Sequence, residues 1–225
     1  MIAELAEPGE LYTGPEYQKA FSNPEDNPDL PNVLIMGDSI SIGYTIEVRK
    51  LLTAKADVFR IKTNGRNSAY GLKVLNRWLE VGEWDLIHFN WGLWDLCYRD
   101  RDSGKRGSRD KVNGTLTETP EQYGKNLEQI VAQLLETKAK LIWCATTPVP
   151  AGEAGRFEGD AIKYNQVAET IMNRHEIPIN DLHAHALLKL PGISKQSGDV
   201  HFTPEGYAFL AEKVAAAIQE QLSLP

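Results

Sequence analysis

Val33-Leu34-Ile35-Met36-Gly37-Asp38-Ser39-Ile40-Ser41 is the stretch on which the reading of the whole chain turns. Four consecutive apolar residues without polar alternation suit a strand covered on both faces, the usual state of strands in parallel sheets. The run ends in Gly-Asp-Ser, and Ile42, Ile46, Arg49 and Leu52 then follow a helical pattern. A strand passing through a tight turn into a helix is the first half of a β-α-β unit. Ser39 therefore belongs at the top of a sheet, where a strand gives way to a helix.

The same alternation continues outward from this point. Val58-Phe59-Arg60-Ile61 reads as a second strand, Leu86-Ile87-His88-Phe89 as a third and Leu141-Ile142-Trp143-Cys144-Ala145 as a fourth. Ile177-Pro178-Ile179 makes a short fifth, sent to an edge because proline cannot donate to the ladder. Between them, Leu72, Leu75, Trp78 and Leu79 share one helical face, and Leu127, Ile130, Val131, Leu134 and Leu135 share another. Thr119 and Gln122 have capping-box spacing, and Thr203-Pro204 reads as an N-cap followed by a first helical residue.

Strands alternating with helices imply right-handed crossovers and a parallel sheet covered on both sides. The expectation is one α/β domain over residues 33–225, preceded by an N-terminal arm over residues 1–32 that is rich in Pro, Asn, Asp and Glu. Loops 97–119 and 146–159 follow the carboxyl ends of strands three and four, where ligands bind in such sheets.

Composition excludes several classes. The chain has 225 residues, 24 Lys+Arg against 31 Asp+Glu and a net charge of −7, which argues against nucleic acid or an anionic membrane as main partner. No apolar run approaches the roughly 18 residues that span a bilayer. Met1 to Glu10 lack the basic and apolar regions of a signal peptide, so a cytoplasmic location is expected, with a trimmed secreted form as the alternative. Cys97 and Cys144 read as buried thiols. His183 and His185 lie near Asp181, but no further ligand has suitable spacing, so no metal is expected.

A serine at a helix start sits beside unpaired backbone amides and the positive end of the helix dipole. On that segment alone, Ser39 or Ser41 reads first as a simple N-cap, the commoner role of serine at such a turn. The far end of the chain supplies a reason to choose. Asp199-Val200-His201 lies just before the final helix, and a nucleophilic serine needs a base that is itself held in one tautomer.

In this order and on these elements the motifs resemble the SGNH (GDSL-type) hydrolase family over residues 33–222. The resemblance implies a flavodoxin-like three-layer α/β/α sandwich with a five-stranded parallel sheet in the order 2-1-3-4-5. It implies that Ser39 is the nucleophile and its amide an oxyanion donor, with Gly65 of Asn64-Gly65-Arg66-Asn67-Ser68 as a second donor. His201 is then the base and Asp199 its orienting acid. The implied reaction is hydrolysis of a carboxylic ester through an acyl-serine, without metal or organic cofactor.

Two departures from the family pattern stand out. Gly92-Leu93-Trp94-Asp95 has Trp94 where the family carries an oxyanion-donating Asn, and Asn90 at the end of strand three is the expected replacement. The acid and base are spaced Asp-x-His where the family has Asp-x-x-His, with Gly198 at the usual acid position. Trp94 and Tyr98 are expected to offer an aromatic platform for a sugar ring. Asp95, Arg99, Asp100, Arg101 and Asp102 read as a solvated loop at the pocket mouth, and Arg156 as a loop salt bridge. Small acyl groups such as acetyl on carbohydrate are the expected substrates. A non-catalytic carbohydrate-binding domain and an acyltransferase are the competing readings.

Overall fold

The computed structural model describes residues 17–104 and 106–223, so the first half of the expected arm lies outside the described residues. The elements run α1 (Gln18–Phe21), β1 (Asn32–Met36), α2 (Ser39–Leu51), β2 (Asp57–Arg60), α3 (Ser68–Leu79) and β3 (Leu86–Phe89). A short hairpin follows, β4 (Tyr98–Arg99) and β5 (Thr115–Leu116), then α4 (Pro120–Glu136) and β6 (Lys140–Cys144). The chain ends with α5 (Asp160–Arg174), β7 (Ile179–Asn180), α6 (Leu182–Leu187) and α7 (Pro204–Leu222).

Five parallel strands form one sheet in the order β2-β1-β3-β6-β7. By position this is the expected 2-1-3-4-5 order. β1 sits between β2 and β3, with Val33 opposite both Val58 and Leu86, and β1 from Val33 onward and all of β3 are buried. Helices α2 and α7 pack together on one face, with α1 and α6 against them, and α3, α4 and α5 pack in succession on the other. The result is a three-layer α/β/α sandwich.

The local signals act much as chemistry dictates, with three differences. Thr119 accepts from the Gln122 amide at 3.2 Å, but the Gln122 side chain turns to Asn126 at 2.9 Å, so the capping box is half made. The fifth strand is Ile179–Asn180, two residues beyond the expected start at Ile177, because Pro178 offers only its carbonyl, to the Trp143 amide at 3.0 Å. The loop 97–119 is partly ordered as the β4–β5 hairpin, whose two-residue strands are too short to show a period.

Along the outer edge of β2, Asn23 replaces a neighbouring strand. Its Nδ2 donates to the Arg60 carbonyl at 3.0 Å and its Oδ1 accepts from the Arg60 amide at 2.9 Å. Edge strands offer unpaired backbone groups, and this side chain satisfies one pair of them.

Candidate active site

Ser39 is the first residue of α2, but it does not cap the helix. Asp38 does, accepting from the Ile40 amide at 2.9 Å, while the Ser41 hydroxyl donates to the Asp38 carbonyl at 2.7 Å. The capping alternative for Ser39 and Ser41 is thereby displaced, and the Ser39 hydroxyl points elsewhere. Its Oγ lies 2.8 Å from His201 Nε2.

His201 precedes α7, whose start is set by Thr203 accepting from the Gly206 amide at 3.1 Å with Pro204 as first helical residue. On the far side of the ring, His201 Nδ1 lies 2.5 Å from Asp199 Oδ1, and the same oxygen accepts the His201 backbone amide at 3.0 Å. With Nδ1–H donating to the Asp199 carboxylate, Nε2 presents its lone pair to the Ser39 hydroxyl. Asp-x-His spacing therefore closes the chain of hydrogen bonds through a local turn. Gly198 enters that turn at φ 71°, where a Cβ would stand 2.9 Å from the Gly152 carbonyl. Burial raises the Asp199 pKa, but the hydrogen bonds and charge of His201, with Lys195, outweigh it and hold the carboxyl at about 2.

Beneath the serine lies a group whose role the sequence reading missed. Arg60, only 1% exposed, sends Nη1 to the carbonyls of Ile61 and Thr63 at 2.7 Å each. Its Nη2 reaches Gly37 O at 3.0 Å, Asp38 O at 3.1 Å and Ser41 Oγ at 2.6 Å. Burial draws its pKa down to about 9, so it keeps its charge at neutral pH. The one available signal was a charge inside an otherwise apolar strand.

The expected oxyanion donors fare unequally. The Ser39 amide opens α2, where first-turn amides lack intrahelical acceptors. Gly65 lies against the same turn, so close that a Cβ would stand 2.7 Å from Gly37 O, but its amide donates to that carbonyl at 2.9 Å. Asn90 departs from expectation. Its Nδ2 donates to Cys144 O at 2.6 Å and to Thr146 Oγ1 at 3.2 Å, so both amide protons serve the neighbouring strand end and neither is left for an oxyanion. Thr146 also crowds Gly92, where a Cβ would fall 2.0 Å from Thr146 Oγ1.

Trp94 is 6% exposed, and the Arg99 guanidinium stands 4.7 Å from its ring centroid. A covered ring is no platform for a sugar, so that part of the expectation is corrected. Tyr98 is half-buried and meets Phe157 edge-on at 5.4 Å, and Phe157 is well exposed. Asp95 and Arg99 are buried, contrary to the expected solvated loop, whereas Arg101 and Asp102 are exposed. Asp95 Oδ1 accepts from the Ser68 amide at 2.8 Å and the Ser68 hydroxyl at 2.5 Å, joining the turn after β3 to the start of α3. Burial, opposed by those bonds, pushes its carboxyl up to about 7.

Arg156 forms the expected salt bridge, to Glu153 at 2.9 Å, and Arg109 shares the same oxygen at 3.0 Å. Cys97 and Cys144 are free and buried. His185 Nε2 lies 3.0 Å from the Phe209 carbonyl. Among the described residues no cluster of three His, Cys, Asp or Glu is arranged to hold a metal, and no helix is long and apolar enough to cross a membrane.

A doubly wound sheet with a serine at the end of β1, hydrogen-bonded to a histidine and aspartate ahead of the last helix, defines an SGNH-type hydrolase. The chain belongs to the GDSL-like Lipase/Acylhydrolase family, whose profile matches residues 35–209. Comparison with curated proteins gives no significant match. Among solved structures, the lipase/acylhydrolase from Enterococcus faecalis is similar, with a TM-score of 0.68 and 20% identity over 84% of this chain and 96% of that one. The acetyl xylan esterase AlAXEase has a TM-score of 0.66 and 17% identity over 83% of this chain and 99% of that one. An acetyl xylan esterase from Geobacillus stearothermophilus has a TM-score of 0.65 and 18% identity, over 84% and 94% respectively.

Proposed function

We propose that the protein hydrolyses carboxylic esters of small acyl groups, acetyl esters of carbohydrates in particular, through an acyl-serine intermediate. The observation that carries this reading is the pair of contacts on His201, Ser39 at 2.8 Å and Asp199 at 2.5 Å on opposite nitrogens. In the first half-reaction His201 Nε2 takes the Ser39 proton as Oγ attacks the acyl carbon, and it returns that proton to the departing alcohol. Water then repeats the sequence on the acyl-serine, and the carboxylic acid leaves. Asp199 stays ionised throughout, holding the tautomer and balancing the imidazolium charge.

The oxyanion forms beside the start of α2, where the Ser39 amide and the helix dipole favour negative charge. Gly65 becomes the second donor when its amide exchanges Gly37 O for the oxyanion. The acetyl and carbohydrate parts of the proposal draw on the two acetyl xylan esterases with the same fold. Tyr98 and the exposed Phe157 are the aromatic surface suited to a sugar in place of Trp94. Labelling by a fluorophosphonate, located on Ser39 by peptide mass, tests the nucleophile without the substrate. Acetate release from acetylated xylo-oligosaccharides, compared with longer-chain p-nitrophenyl esters, tests the acyl and sugar preference.

A further inference from the structure

We propose that Arg60 is a positioning residue for the Ser39 nucleophile, and that the segment Phe21–Asn23 keeps it in place; the proposal rests on the esterase reading above. All four terminal N–H groups of Arg60 are spent on two turns. Gly37, Asp38 and Ser41 surround Ser39 in the turn after β1, and Ile61 and Thr63 lie on the stretch from β2 toward Gly65. Gly37 O receives Arg60 Nη2 at 3.0 Å and the Gly65 amide at 2.9 Å, so one carbonyl joins the guanidinium, the nucleophile turn and the oxyanion loop.

Arginine suits this place because a planar fork reaches several acceptors in fixed directions, which the point charge of lysine does not. The backbone carbonyls converge in a buried space; without the guanidinium Gly37 O keeps the Gly65 amide and Asp38 O the Ser41 hydroxyl, but the charged donor that ties the two turns together is gone. Ser39 Oγ must stay at hydrogen-bond distance from His201 Nε2, and a displacement of about 1 Å at a reacting group costs on the order of a hundredfold in rate.

The cover over Arg60 comes from outside the sheet. The Phe21 ring lies 5.5 Å from the guanidinium carbon, and Phe21 packs with Ala20 and Ile42. Asn23 brackets the Arg60 backbone through both ends of its amide, and Arg49 Nη2 donates to the same Asn23 oxygen at 2.9 Å. A continuous path of contacts thus runs from Phe21 and Asn23 through Arg60 to the residues on either side of Ser39.

The test compares Arg60→Met, Arg60→Lys and Asn23→Ala with the wild type, each assayed below its own melting midpoint. Turnover and KM on p-nitrophenyl acetate and the rate of fluorophosphonate labelling are measured. Arg60→Met should lower kcat and the labelling rate together by about tenfold to a hundredfold, with KM within about twofold. Arg60→Lys should recover part of that loss, and Asn23→Ala should show a smaller drop of the same kind. A folded Arg60→Met protein with a lower midpoint but wild-type kcat and labelling rate would overturn the proposal. Should neither Arg60 variant fold, Asn23→Ala decides, and unchanged kcat there overturns it. A wild type that neither labels nor cleaves any ester defeats the esterase reading itself and takes this proposal with it.

Discussion

Asp199 holds His201 twice with one oxygen: Oδ1 accepts the backbone amide of His201 at 3.0 Å and faces its ring Nδ1 at 2.5 Å. Main chain and imidazole are oriented by the same atom, so the short Asp-x-His spacing fixes the base more locally than two separate partners would. The ring has little freedom to turn away from Ser39.

The nucleophile is the simplest to test. Ser39→Ala should lower turnover of p-nitrophenyl acetate by at least about a thousandfold and abolish fluorophosphonate labelling. Circular dichroism should be unchanged, since Asp38 and not Ser39 caps α2. Residual activity near the wild-type level would sink the acyl-serine mechanism.

Asp199→Asn should reduce kcat, though less than loss of Ser39 or His201, because an amide oxygen can still accept from the ring. Stability gives a second readout. With its folded pKa lowered to about 2, Asp199 stabilises the fold fully above the ordinary carboxylate range, and that share fades as pH falls toward 2. The variant should therefore lose less stability than the wild type on acidification from pH 5 to pH 2.

Asn90→Ala and Gly65→Ala should separate structure from oxyanion binding. Asn90 spends its amide on Cys144 O and Thr146 Oγ1, so its removal should cost about 1–3 kcal/mol of stability and leave kcat within a few-fold. At Gly65 an added Cβ meets Gly37 O at 2.7 Å and forces the donor loop outward, which should lower kcat by about a hundredfold or more. Urea unfolding and steady-state kinetics on the same preparations give the ranking. Equal kcat losses in the two would return Asn90 to the oxyanion hole.

Asp95 should make stability depend on pH near neutrality. Its folded pKa is pushed up to about 7 by burial, above its unfolded value, so the folded state binds the extra proton. Stability from this group is complete below about pH 4 and is lost as pH rises through 7. In Asp95→Asn, which has no proton to lose, the melting midpoint should vary less between pH 5 and 8. An unchanged slope would mean that Asp95 is ionised in the fold across this range.

The chain by itself determined the architecture. Val33 to Met36, Leu86 to Phe89 and the helical faces between them are local periodicities, and apolar runs joined by crossovers leave few arrangements other than a covered parallel sheet. The sequence also singled out Ser39, Asp199 and His201, because strand-end and helix-start positions are recognisable from a few neighbouring residues. Everything that depended on a distant partner was decided by the tertiary structure. Asn90 was a strand-end amide with two possible directions, and the nearness of Cys144 O chose between them. Trp94 was an aromatic residue in a loop until Arg99 covered its face. Asp95 reads in the sequence as part of a solvated charge run, and Arg60 only as a member of the second strand. Phe21 of α1 and the turn after β1 enclose Arg60, and the start of α3 meets Asp95, since the desolvation of a charge is set by surrounding chain far away in sequence.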